Sequence, residues 1–233
     1  MALLVAAIFP VVIFLIVIYR KDTEREPLRL VMICFFMGCA ATVPIVLAEL
    51  LVGQFNNFDS PLLHSLFKAF VVAAIVEEGI KFMTLYATVW GRKEFDQYYD
   101  GIVYAVFVSL GFALVENFLY VFEYGMGTMI LRAVLAVPCH GLLGVAMGYF
   151  FSLARFSPTG GKRLLWLSFL VPMIFHGLYD FFLMYMGESQ NPLTIGLSLL
   201  AFIIALICIW RAGARYIKKH HTADKQNKQQ YYY

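Results

Sequence analysis

The chain has few charged residues, since only 14% of its 233 residues are Asp, Glu, Lys or Arg. Typical soluble domains have about 25%. Hydrophobic residues make up 61%, and the mean hydropathy is +0.75. This composition leaves no room for a separate soluble domain and predicts an all-α, polytopic membrane protein. The four cysteines form no Cys-x-x-Cys pair, so they are interpreted as packing residues.

Several protease motifs are also missing. There is no His-Glu-x-x-His, which excludes a zincin helix, and no Gly-x-Ser-x-Gly, which argues against a serine rhomboid. Tyr-Asp occurs at Asp100 and Asp180, but the Gly-x-Gly-Asp string of aspartyl intramembrane proteases is absent. An aspartyl dyad needs two facing carboxylates, and Asp100 falls at a helix edge. Any hydrolytic site must therefore be built differently.

Long apolar runs dominate what is present. A helix needs about 20 apolar residues to cross the hydrocarbon core of a bilayer. Seven runs approach or exceed this length, and we predict a membrane helix in each: 3–19, 28–52, 62–90, 101–124, 129–152, 164–186 and 193–211. The first run lacks a basic region before it and a small-residue cleavage site after it, so it is interpreted as a retained helix and not as a signal peptide.

The basic residues predict the topology. All but three of the 18 Lys and Arg follow the first, third, fifth and seventh runs; the exceptions are Lys68, Lys81 and Arg132. The positive-inside rule then places the N-terminus outside the cell membrane and the C-terminus in the cytoplasm. The net charge of +3 reports this asymmetry and does not indicate nucleic-acid binding. We predict one membrane domain over 1–211 and a basic, disordered tail over 212–233, whose expected neighbour is membrane lipid.

Ionisable side chains inside the apolar runs are the main functional signal. They lie in the third to sixth runs, and they are Glu77, Glu78, Lys81, Glu116, His140, His176 and Asp180. Charged groups at membrane depth are expensive and usually mark a functional site. Counting residues at 1.5 Å rise places them between the midplane and the outer side. This pattern predicts a hydrolytic or ion-handling site with access from outside.

The spacings divide these residues into pairs. Lys81 lies three residues after Glu78 and four after Glu77, so it can reach either carboxylate along one helix. The two glutamates point about 100° apart, which favours one catalytic carboxylate and one that pairs with Lys81. His176 and Asp180 are four residues apart and share a helix face.

Close helix packing is expected around these positions. Gly144 and Gly148 form a Gly-x-x-x-Gly spacing, and Gly141 lies one turn earlier. Small residues let membrane helices approach closely. Pro138 and Pro172 precede the two histidines, and a proline in a helix frees backbone groups that protein or water must satisfy. Both histidines are therefore predicted beside local openings.

Four ordered motifs carry a resemblance to a known family: Glu77-Glu78-x-x-Lys81, Phe112-x-x-x-Glu116, His140 and His176-x-x-x-Asp180. With the Asp22-x-x-x-Glu26-Pro27 stretch, they resemble the PrsW family of membrane proteases over about residues 1–210. The related CAAX prenyl endopeptidases have Glu-Glu-x-x-x-Arg and Phe-x-x-x-His. In this chain the basic residue, Lys81, is one residue nearer to the glutamates, and Glu116 stands where these relatives have a histidine. The resemblance implies cleavage of a single-pass membrane anti-sigma factor at its outer side. That cut starts the release of an extracytoplasmic-function sigma factor in regulated intramembrane proteolysis and stress response.

The preferred hypothesis is a glutamate-type peptidase without a cofactor. Glu77 acts as general base on a water, Glu116 and His140 hold that water, and His176, oriented by Asp180, donates to the oxyanion. Glu78 pairs with Lys81. The alternative within the enzyme class is a zinc metalloprotease with Glu77, His140 and His176 as ligands. A proton- or ion-coupled transporter is the alternative from another class.

Overall fold

The computed structural model describes the backbone of residues 2–230, and the side chains of that range except 2–6, 121–126, 129 and 227–230. This part of the chain is all-α, as predicted, and it contains no strand. Seven helices follow one another. They are α1 (Ala2–Lys21), α2 (Leu28–Gly53), α3 (61–89), α4 (Tyr98–Leu131), α5 (132–156), α6 (Gly161–Glu188) and α7 (Pro192–Gln230).

Five of these helices are long and apolar enough to cross a membrane, judged by length and composition of the described residues. They are α2, α4, α5, α6 and α7. The remaining two are α1 and α3, and α3 carries Glu77, Glu78 and Lys81. The predicted helices agree with the structure except at two places: the loop expected at 125–128 belongs to the end of α4, and α7 continues beyond the predicted end at 211. The chain is a polytopic helical membrane protein.

Helix α4 forms the centre of the bundle. Every side chain between Tyr99 and Ala113 is buried, and the helix packs against α5, α2 and α1. It runs antiparallel to α5, since Gly101 lies against Gly148 and, farther along α4, the Ser109 hydroxyl donates to the carbonyl of His140 at 2.8 Å. A membrane helix that is apolar on all sides is expected in such an interior position. This arrangement brings Glu116 on α4 close to His140 on α5.

Glycines allow the closest crossings of α4. A Cβ atom built on Gly148 of α5 would lie 2.2 Å from the carbonyl oxygen of Gly101. On the other side, a Cβ on Gly38 of α2 would lie 2.0 Å from the carbonyl oxygen of Val108. No side chain fits at these distances, so both helices contact α4 through their backbones. The predicted small-residue packing of α5 is present, and it sets the position of His140.

Two π-helical segments interrupt the regular helices just before the predicted site residues Glu77 and His140. In α3, Pro61–Leu66 leads into the π segment Phe67–Ala74, and regular helix resumes as Ile75–Val89. In α5, the π segment Arg132–Ala136 precedes Val137–Phe156. Such segments occur frequently at functional sites. Backbone irregularity was expected beside Pro138, and it is found there, whereas α6 continues through Pro172.

The connections rich in basic residues gather at one end of the bundle. There the Asp224 carboxylate of α7 accepts the backbone N–H groups of Tyr98 and Tyr99 at 3.0 and 2.7 Å. The connection between α1 and α2 packs against the same region, and burial raises the pKa of Glu26 to about 7 and that of Asp22 to about 6. This clustering agrees with the alternating loop pattern of the sequence.

The tail differs from the predicted disorder. Helix α7 continues to Gln230, and residues 231–233 lie outside the described residues. The rings of Tyr216 and His220 stack on Tyr149 of α5 at 4.2 and 4.3 Å. His220 also donates from Nε2 to the carbonyl of Tyr149 at 3.0 Å. These tertiary contacts order a segment whose polar composition alone indicates disorder.

Candidate functional site

A cavity of about 310 Å³ lies between α2, α3, α4, α5 and α6. Its acidic, basic and histidine lining residues are Glu49, Lys68, Glu77, Glu116, Arg132, His140, His176 and Asp180. Five of the predicted site residues therefore meet at one cavity, although they come from four helices. Glu78 and Lys81 lie beside it and do not line it. Phe70 of the π segment packs on Gly177, next to His176.

Lys81 joins the two adjacent glutamates. Its Nζ lies 2.8 Å from Glu77 Oε2 and 2.9 Å from Glu78 Oε1, and the side chain of Lys81 is fully buried. Nζ also lies 4.0 Å above the ring of Phe112. The expected pair of Glu78 and Lys81 is present, but Glu77 shares the same ammonium group. Of the two glutamates, only Glu77 faces the cavity.

His176 has a carboxylate near each ring nitrogen. Its Nδ1 lies 3.0 Å from Glu78 Oε1, and its Nε2 lies 3.2 Å from Asp180 Oδ2. Asp180 was expected to orient this ring, and Glu78 contacts it as well. The ring either carries two protons and donates to both carboxylates, or it donates from Nδ1 to Glu78 and presents the lone pair of Nε2 to the cavity.

His176 and Glu77 face each other across a gap at the cavity. Nε2 of His176 lies 3.9 Å from Oε1 of Glu77, which is too far for a hydrogen bond. The other oxygen of Glu77 is held by Lys81, so Oε1 is the atom available to a reactant. One water that bridges both atoms, or one cation that binds both, fits a gap of this width.

The second part of the site centres on Glu116. Its Oε2 lies 3.0 Å from Nε2 of His140 and 2.5 Å from Nη2 of Arg132. Arg132 also donates from Nε to Oδ1 of Asn117 at 3.0 Å. Nδ1 of His140 lies 3.4 Å from Nζ of Lys81, so this histidine links the two halves of the site.

Sequence reasoning missed the role of Arg132 and the position of Glu49. Arg132 was noted only as a basic residue within an apolar run, which was the available signal. Its contact with Glu116 depends on the antiparallel packing of α4 and α5. Glu49, near the end of α2, lines the cavity without belonging to any motif in the sequence.

The donor atoms include a potential metal site. One atom each from Glu77, His140 and His176 can be chosen so that all three lie within 4.8 Å of one another, and all three residues are buried. Carboxylate oxygen and imidazole nitrogen are common zinc ligands. Ligating histidines usually donate their other ring nitrogen to a carboxylate, and Glu78 occupies that position at His176. The donor set therefore fits zinc, although the ammonium of Lys81 beside Glu77 opposes a second cation there.

Comparison with known proteins identifies relatives along almost the whole chain. A family model described as "PrsW family intramembrane metalloprotease" matches residues 26–209. "Protease PrsW" of Geobacillus kaustophilus is 37% identical over 94% of this chain and 92% of its own length. The proteins of the same name from Bacillus subtilis and Clostridioides difficile are 36% and 32% identical, each over 96% of this chain and over 97% and 93% of their own lengths. No solved structure matches.

Proposed function

The chain belongs to the PrsW family of intramembrane proteases, and from this premise we propose that it hydrolyses peptide bonds at the cavity between Glu77 and His176. The observation that carries the proposal is the 3.9 Å gap between Glu77 Oε1 and His176 Nε2. One atom can accept a proton and the other can donate one, or both can bind the same cation. Peptide hydrolysis needs either arrangement beside a carbonyl group.

The proposed substrate is a single-pass membrane protein cut near its outer side, and the family resemblance suggests an anti-sigma factor. The cavity supports outer access if the basic connections are cytoplasmic. Lys68 near the start of α3 and Met184 near the end of α6 both line it, and these helix ends lie away from the basic connections. A substrate segment just outside the hydrocarbon core could enter the cavity at this end, and the rest of the substrate's membrane helix would not have to unfold.

For the chemistry, we favour zinc over the metal-free site expected from sequence. Glu77, His140 and His176 would hold the ion, and a bound zinc would polarise the scissile carbonyl and activate water. Glu78 would fix the ring of His176 through Nδ1, and Arg132 would hold Glu116 in place. Glu116 and Asp180, which both line the cavity, would remain to accept a proton. Without a metal, Glu77 itself takes the base role.

The chemistry can be decided on purified protein. We expect a strong chelator to abolish cleavage, added zinc to restore it, and elemental analysis to find about one zinc per active chain. Full activity in chelator, together with protein free of zinc, would instead support Glu77 as a metal-free general base. Magnesium added at the same concentration is the control, because this mixed donor set suits zinc better than magnesium.

The proposed activity itself needs a reconstituted assay. We expect proteoliposomes of the purified chain to cleave single-pass membrane substrates and mass spectrometry to place the cut near the outer end of the substrate helix. The variant His176→Gln, purified identically, controls for contaminating proteases and should not cleave. The proposal would be refuted if the wild-type protein, like the active-site variants, left the substrate intact. The alternative of a coupled transporter has no supporting observation in the structure or the comparisons.

A further inference from the structure

Three buried carboxylates meet at the end of the bundle where the basic connections gather. Asp22 and Glu26 lie in the connection between α1 and α2, and Asp100 lies in the first turn of α4. One carboxylate oxygen from each can be chosen so that all three lie within 4.8 Å of one another. The residues are 7%, 4% and 0% exposed, respectively. We refer to these three residues as the carboxylate cluster.

The hydrogen bonds of the carboxylate cluster leave part of it unpartnered. Asp22 accepts the backbone N–H groups of Glu24 and Glu26 at 3.3 and 3.2 Å. Oδ2 of Asp100 accepts two backbone N–H groups, from 96 and 97, at 3.0 and 2.6 Å. Oδ1 of Asp100 is buried and has no hydrogen-bond partner. The hydroxyl of Tyr104 donates to Glu26 Oε2.

The carboxylate cluster also has no counter-charge in the described part of the chain. No Lys or Arg nitrogen there lies within 4.0 Å of any of its three carboxylates. Backbone N–H groups partly satisfy Asp22 and Asp100, but three ionised carboxylates this close together repel one another. Two states can relieve the repulsion: a bound cation, or a proton shared between Glu26 and Asp100.

We propose that the carboxylate cluster holds a hard divalent cation, magnesium or calcium. Its donors are oxygens only, which suits these ions and disfavours zinc. Oδ1 of Asp100 accepts no hydrogen bond from an N–H group and lies in a carboxyl group close enough to that of Glu26 to share a proton or a cation with it. The hydroxyl of Tyr104 lies beside Glu26. The ion would tie the connection between α1 and α2 to the start of α4. It is separate from the Glu77, His140 and His176 donor set, which lies toward the other end of α4.

Terbium binding tests this site directly, because terbium replaces calcium at oxygen ligands and its emission is sensitised by nearby tyrosine. The sample is the full-length chain in detergent, stripped with chelator and placed in phosphate-free buffer. We expect saturable sensitised emission from about one terbium per chain, and competition by calcium or magnesium. The better competitor identifies which of the two ions the site prefers.

Matched variants assign the signal. Glu26→Gln and Asp100→Asn should lower the apparent affinity at least tenfold. Glu94→Gln, which removes an exposed carboxylate nearby, and Glu77→Gln at the cavity should leave the affinity unchanged. Three results would overturn the proposal: no saturable binding to wild type, loss of binding in Glu77→Gln, or unchanged binding in Glu26→Gln. Absence of terbium binding in wild type would favour a proton shared between Glu26 and Asp100. This wild-type measurement does not depend on how any variant folds.

Discussion

At the level of single residues, Lys81 determines the charge balance beside the cavity. It is the ammonium partner of both Glu77 and Glu78, which lie 2.8 and 2.9 Å from it. Glu78 in turn contacts His176. A change at any one of these positions therefore alters the partners of the other residues. Stability and activity have to be measured together to separate their roles.

Removing Lys81 should destabilise the protein more than removing Glu78. Lys81→Met removes the ammonium group that two buried carboxylates share, and loss of one partner of a buried pair typically costs about 3–5 kcal/mol. Glu78→Gln leaves Lys81 paired with Glu77, so we expect a smaller decrease in the detergent melting temperature. The double variant should recover part of the loss of Lys81→Met. An equal or higher melting temperature for Lys81→Met than for wild type would contradict this assignment. Lys68→Met, which changes an exposed lysine, is the control.

Arg132 should act through Glu116 and His140. Arg132→Gln removes the guanidinium from Glu116, so we expect a large decrease in kcat with a smaller change in KM, and partial rescue by Arg132→Lys. The measurement is turnover of a single-pass substrate at several substrate concentrations. If kcat were unchanged in Arg132→Gln, the contact with Glu116 would have no catalytic importance.

The sequence predicted most of the residues that line the cavity, but it predicted fewer of the contacts between them. Spacings of three and four residues predicted that Lys81 can reach either glutamate and that His176 meets Asp180, because these contacts follow from helix geometry. That Lys81 binds both glutamates at once was not predicted. The contact between Glu78 and His176 joins residues 98 positions apart. It depends on how α3 and α6 pack, which no local spacing determines. The same reason explains why Arg132 was missed.

Among the helices, α4 positions the site through backbone contacts with α2 and α5. Its crossing with α5 at Gly101 and Gly148 fixes the height of His140 relative to Glu116. The sequence indicated this packing through Gly144-x-x-x-Gly148. It did not indicate that α7 continues as an ordered helix to Gln230, because that order comes from contacts of Tyr216, His220 and Asp224 with distant residues.

An added methyl group at the crossing of α4 and α5 should separate these helices. In Gly148→Ala the new Cβ would lie 2.2 Å from the backbone oxygen of Gly101, and overpacking typically costs about 1–3 kcal/mol. We expect a lower melting temperature and lower turnover, since His140 moves away from Glu116. Gly196→Ala is the matched control, because nothing lies within 4 Å of a Cβ there. Equal stability of the two variants would show that the crossing is looser than described.

The whole molecule is a helical bundle with its basic connections at one end and its cavity toward the other. The sequence predicted the all-α class and seven helices, because hydropathy and charge act over whole segments. Which end faces the cytoplasm remains a prediction from the positive-inside rule. This orientation decides whether substrates reach the cavity from outside the cell.

Reporter fusions should establish this orientation. Alkaline phosphatase, which is active only outside the cytoplasm, should be inactive when fused after α7. It should be active when inserted between α6 and α7, at residues 189–191. The opposite pattern would place the cavity toward the cytoplasm and would exclude cleavage at the outer side of the substrate.

Turnover of Glu77→Gln beside Glu49→Gln is the most decisive comparison for the proposed reaction. Both residues line the same cavity, both changes remove one carboxylate with little change in size, and only Glu77 faces His176 across the gap. We expect Glu77→Gln to lower kcat by about 10²–10⁴, the range for loss of a catalytic acid–base group, or more if it holds zinc. Glu49→Gln should keep most of the activity, and both variants should remain folded. Cleavage by folded Glu77→Gln at the wild-type rate would show that the reaction does not take place at this gap.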